Sequence, residues 1–184
     1  MIKILLIPVL FGLACLMAGV YGALHDQISY TVSPDYFQQF KFIQFEIAPD
    51  LHDRLGAARV GWMATWWMGI VVGVVIVPLG MTVPGTKQSF MATLKALGVV
   101  AGTALVTGLA ALIVAHVRVD AETVGEITRY RQLIRDPVAF TRAGTMHDFS
   151  YLGGLIGIFS GAAYLIGQRR RARDQAPATT KDHR

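Results

Sequence analysis

Histidine and aspartate recur side by side in this chain. His25-Asp26, His52-Asp53 and His147-Asp148 are adjacent pairs, and His116 stands without one. Imidazole nitrogen with carboxylate oxygen is a donor set for Zn²⁺, Fe²⁺ or Mn²⁺. Two imidazoles alone, at His25 and His116, would suit the axial positions of a haem b iron. A histidine cluster also titrates near neutrality, so proton sensing is a further use of the same residues. Candidate metal ligands are therefore His25, Asp26, His52, His116, His147 and Asp148. No other catalytic signature is present. The chain has no GxSxG, HExxH, CxxCH or phosphate-binding glycine loop, and its one cysteine, Cys15, lies in an apolar run. No reaction is specified, and whether the chain is an enzyme stays open.

Each of the four histidines borders a long apolar run. His25 closes the first, His52 precedes the second, His116 closes the third and His147 opens the fourth. The chain is 53% hydrophobic and 16% charged, against about 25% charged in a soluble domain. Mean hydropathy is +0.47. This composition predicts an all-α membrane protein with the lipid bilayer as its first partner. Spanning helices need about 20 apolar residues, and four runs serve: residues 4–24, 60–83, 90–115 and 149–167. Alternate crossings then bring all four histidines to one face. The first run is longer than a signal-peptide core of about 7–15 residues, so an uncleaved helix is expected.

The net charge of +5 does not indicate nucleic acid. Its densest group, Arg169, Arg170, Arg171 and Arg173, directly follows an apolar run, where a cytoplasmic anchor belongs. With the N-terminus inside, basic residues divide almost evenly between the two sides, and this arginine cluster decides the orientation. Ten of the twelve acidic residues then fall outside. The expected arrangement is a multi-pass protein of the cell membrane with both termini cytoplasmic. Residues 1–168 form one membrane domain and 169–184 a disordered basic tail.

Two external segments, 25–59 and 117–148, form a small α/β cap. Ile28 to Val32 reads as extended. Ser33-Pro34-Asp35 starts a helix, with a capping serine and proline in the first turn. Ile43, Phe45 and Ile47 alternate with polar residues as a half-buried strand does. Asp50 caps a further helix that places Asp53 in its first turn. In the second segment a helix runs from Asp120 to about Arg135, ended by Asp136-Pro137, and Asp148 caps the fourth crossing. Gly69/Gly73, Gly98/Gly102 with Gly108, and Gly153/Gly157/Gly161 are small-residue stripes for close packing between helices or copies. Pro78 is the expected kink in the second crossing, and Trp62, Trp66 and Trp67 an interfacial belt.

His25, His116 and His147 fall at similar depth and form the expected inner triad. His52 lies about 15 Å further out on a straight helix. Asp53 and Asp148 also suit helix starts, where carboxylates stabilise the dipole. Three functions compete. One is a His/Asp metal or redox-cofactor site at the external mouth of the bundle. The second is a non-catalytic accessory or assembly subunit that binds a membrane-protein partner through its aromatic external segment. The third is a small transporter component, which lacks the ionisable residue deep in a crossing that an ion path usually carries.

Overall fold

The computed structural model describes residues 3–175. The fold is all-α apart from one short ribbon of two strands. α1 (Leu6–Val32), α6 (Thr86–Arg118) and α7 (Pro137–Asp174) are each long and apolar enough to cross a membrane. α4 (Arg54–Thr65) and α5 (Met68–Met81) meet at a 47° bend and qualify together as a fourth span. The break falls at Trp66-Trp67, while Pro78 stays inside α5. All three tryptophans of that region are exposed.

Two tight helix pairs make the bundle. α1 packs along α4 and α5, and α6 packs along α7, with sparser contact between the pairs. Glycines set both seams. Gly22 of α1 and Gly61 of α4 face each other so closely that a Cβ on either would enter the other's backbone, and Gly69 of α5 sits against Cys15 in the same way. Gly153 and Gly157 of α7 lie on α6, where a Cβ would come within 2.9 Å of Ala104 Cα and 2.8 Å of Val100 Cα respectively. Gly98 and Gly102 meet nothing within 4 Å, so that stripe faces away from the seam. Close approach of backbones maximises dispersion contact where lipid offers no hydrophobic driving force.

At one end of the bundle Lys3 Nζ donates to the carbonyl of Val83 at 2.6 Å, tying the start of the chain to the α5–α6 link. The cap closes the other end. α1 runs through Ile28–Val32, where extended backbone was expected, and stops at Ser33, because the residue before a proline is held out of the helical region. Ser33 Oγ then accepts from Tyr36 N and caps α2 (Pro34–Tyr36). A π-helical stretch, Phe37–Lys41, leads into α3 (Phe42–Gln44). The anticipated strand at 43–47 is absent. The wider π turn, closed by Phe42 N–H to Phe37 O, brings Phe37 and Phe42 into ring contact at 5.9 Å. Both are buried with Tyr36, Ile47, Val60, Ile134 and Phe140 in the cap core. Burial of these rings outweighs the alternating pattern that suggested a strand.

The second segment also departs from expectation. Asp120 does cap, accepting from Glu122 N and Thr123 N, but only a single turn follows. β1 (Thr128–Arg129) and β2 (Gln132–Leu133) pair antiparallel around Tyr130 and Arg131, both at positive φ, the turn geometry that tight hairpins favour. Gly125 and the β-branched Val124, Ile127 and Thr128 weaken the helical alternative. Asp136-Pro137 begins α7 instead of ending a helix: Asp136 Oδ1 accepts from Ala139 N. At its far end α7 carries the arginines through Asp174, so residues 169–174 are helical; the rest of the expected tail, from 176, lies outside the described residues.

The seam makes a sharp contrast testable. Gly157→Ala should destabilise the folded chain by about 1–3 kcal/mol through overpacking against Val100. Gly102→Ala should be neutral or slightly stabilising, since a helical glycine costs up to about 1 kcal/mol against alanine. Unfolding titrations in detergent read both.

Candidate functional site

His25, Asp26 and His147 meet just beneath the cap and are all buried, 4%, 3% and 7% exposed. His25 Nδ1 lies 3.1 Å from Asp26 Oδ1, and His147 Nε2 lies 3.7 Å from the same oxygen. The imidazoles pack edge to face with centroids 4.7 Å apart. A hydroxyl terminates each side. His25 Nε2 is 2.9 Å from Ser150 Oγ, and His147 Nε2 is 3.1 Å from Ser29 Oγ. The cluster is thus a chain of polar contacts, Ser150–His25–Asp26–His147–Ser29, that passes between α1 and α7 three times. With His25 Nδ1–H donating to Asp26, its Nε2 accepts the Ser150 hydroxyl.

Local structure explains why these residues converge. Because α1 continues seven residues beyond His25, that histidine lies inside a helix and not at its end. Because α7 starts at Pro137, His147 sits in its third turn and faces α1. Tyr36 of the cap stacks on the His147 ring at 5.0 Å and 27°, sealing the cluster from above. Lys41 lies near the same mouth, its ammonium 4.6 Å from the Phe40 ring centre and hydrogen-bonded to Gln44. Burial pushes that ammonium below its ordinary range, against the opposing pull of Asp26 and Asp148.

The other sequence candidates lie elsewhere. His116 is exposed in the last turn of α6, with Nδ1 on the carbonyl of Leu112. A haem held between His25 and His116 is therefore not supported. The pair that does meet, His25 and His147, is in ring contact and leaves no space for a porphyrin between them. His52 stacks on Phe42 at 4.6 Å and hydrogen-bonds the carbonyl of Ile47, so it braces the cap. Asp53 is the N-cap of α4, accepting from Leu55 N and Gly56 N. Asp148 is exposed in the middle of α7, not at a helix start. Of the three His-Asp pairs, only the first keeps both members in the cluster.

Ser29, Ser150, Lys41 and Tyr151 were not among the expected site residues. The serines had a signal: Ser29 follows His25 by four residues and Ser150 follows His147 by three, the spacings that share a helix face. Lys41 had none, because the fold of the cap alone brings it over α1.

The three ligand atoms of His25, Asp26 and His147 all lie within 4.8 Å of one another. Ligands of one ion at about 2.0–2.2 Å stand roughly 3–3.5 Å apart, and the contacts of His25 and His147 with Asp26 are 3.1 and 3.7 Å. Without an ion the same groups form a buried hydrogen-bonded network.

Comparison of the chain with family models, curated proteins and solved structures gives no match.

Removing the shared carboxylate separates the cluster from the outlying histidines. Asp26→Ala should cost about 1.5–3 kcal/mol, because two buried imidazoles lose a charged partner. His116→Ala should stay within about 0.5 kcal/mol, as exposed substitutions do. Reversible unfolding of the detergent-solubilised protein measures both.

Proposed function

We propose that this chain is a multi-pass membrane protein that holds a divalent transition metal on His25, Asp26 and His147 at the cap end of its bundle. The carrying observation is the convergence of two imidazoles and one carboxylate, from helices far apart in sequence, in a buried pocket. Two histidines and a carboxylate are a donor set used for catalytic Zn²⁺ and for non-haem Fe²⁺. Three protein ligands fall one short of a closed structural zinc site, so a metal held by them would keep a position for water or a substrate oxygen. The Ser150 hydroxyl at His25 Nε2 is the outer-shell partner that fixes a ligating imidazole.

Membrane placement is supported by the exterior. Val106, Ile113, Val117 and Phe159 are each more than 65% exposed, and the long helices show many such residues. An apolar surface of that extent suits hydrocarbon and not water. Lys3, Lys87 and the Arg169–Arg173 cluster gather at the end opposite the cap, which favours the cytoplasm for that end. A partner-docking role for the aromatic segment has less support, since Phe37 and Phe42 are consumed in the cap core.

Full-length protein in mild detergent, equilibrated with Zn²⁺ or Fe²⁺ and freed of excess, should carry stoichiometric metal by elemental analysis. His147→Ala and Asp26→Ala should each lose most of it, while His52→Ala and His116→Ala retain it. Folded wild-type protein that takes up neither metal overturns the assignment.

A further inference from the structure

A cleft descends from the histidine cluster between the two helix pairs, and small residues create it. Ala14 and Ala18 of α1, Ala101 and Ala104 of α6 and Gly154 of α7 line it, with Met68 of α5 at the side. From Ala14 to His25 the wall is eleven residues long, about 16 Å of helix. The cleft has a volume of about 130 Å³ and mainly apolar walls, and it is partly open along the bundle, where Val71 and Leu155 of its lining are exposed. The polar groups, His25, Asp26, Ser150 and Lys41, sit together at the cap end.

A second, wider compartment of about 380 Å³ lies against that end, under the cap. Lys41, His147 and Tyr151 belong to the walls of both. Aromatic rings dominate the upper walls, Tyr36, Phe40, Phe140 and Tyr151. The charged side chains of its walls are Lys41, Arg129 and Asp148, and Asp26 lies below them on the cleft. A neutral ring with oxygen substituents suits these walls, offering its faces to the aromatic side chains and its oxygens to the Lys41 ammonium and the Tyr151 hydroxyl.

We propose that the two compartments together bind an isoprenoid quinone, with the ring beneath the cap and the single prenyl chain in the channel between the helix pairs. A fatty acid would leave the aromatic walls of the wide compartment without a partner, and a ring that stacks on them would not. The site adjoins the proposed metal centre but does not depend on it.

The test uses the full chain in mild detergent with decylubiquinone as probe, its binding measured by equilibrium dialysis against empty micelles. Saturable binding is expected, and a tailless benzoquinone should bind at least about tenfold more weakly. A Cβ at Gly154 meets nothing within 4 Å, and Gly154 lines the cleft, so Gly154→Leu adds bulk there from an open position. That variant, and independently Ala101→Leu, should bind decylubiquinone at least about tenfold more weakly, with thermal stability and metal content unchanged. Lys41→Met should weaken binding of both probes. Wild-type partitioning no better than micelles, equal binding by both channel variants, or tighter binding of decanoate or phospholipid would overturn the proposal. Metal content is read separately, so a metal-free protein that binds the quinone sinks only the metal assignment, and the reverse result sinks only this one.

Discussion

Asp26 is the group around which the upper half of the bundle is organised. A carboxylate in an apolar interior costs several kcal/mol unless it is paired and hydrogen-bonded. Here one oxygen meets His25 from its own helix and faces His147 from α7. That requirement fixes the depth and rotation of α1 against α7, two helices that otherwise touch little. Above the cluster Tyr36 stacks on His147, and Phe37, Phe42 and Phe140 pack together in the cap core.

The glycine seams govern what remains open. Backbones drawn together within each helix pair leave α1 and α7 apart below the cluster, and alanines there do not refill the gap. The result is a polar head region above a narrow apolar channel, with the same side chains, Lys41, His147 and Tyr151, shared between two cavities. The two proposed sites are compatible in this arrangement, because His147 belongs to the His/Asp cluster and to the walls of both cavities.

The sequence showed the location of the site better than its membership. Apolar length made the long helices legible, and the alternating direction of successive runs put their histidine-bearing ends on one face. Ser33-Pro34 was read correctly because proline chemistry is local. Ile43–Ile47 and Asp120–Arg135 were misread because their pattern is decided by what they pack on. The π turn that joins Phe37 to Phe42, and the hairpin at Tyr130-Arg131, answer to the core formed with α4 and α7. His52 and His116 resembled His25 in sequence, yet one braces the cap and the other faces outward. Side-chain direction separates them, and hydropathy does not record direction.

What the sequence by itself determined is the class of molecule: long apolar helices, an arginine cluster directly after the last of them, and His-Asp pairs that border three of them. Composition, length and turn chemistry suffice for that, since each acts within a few residues. Only the tertiary structure decided that His25, Asp26 and His147 meet while His52, His116 and Asp148 do not. It also decided that Lys41 overhangs the cluster and that a channel runs below it. Those facts depend on helix rotation and on which glycines face a neighbour, and long-range packing sets both.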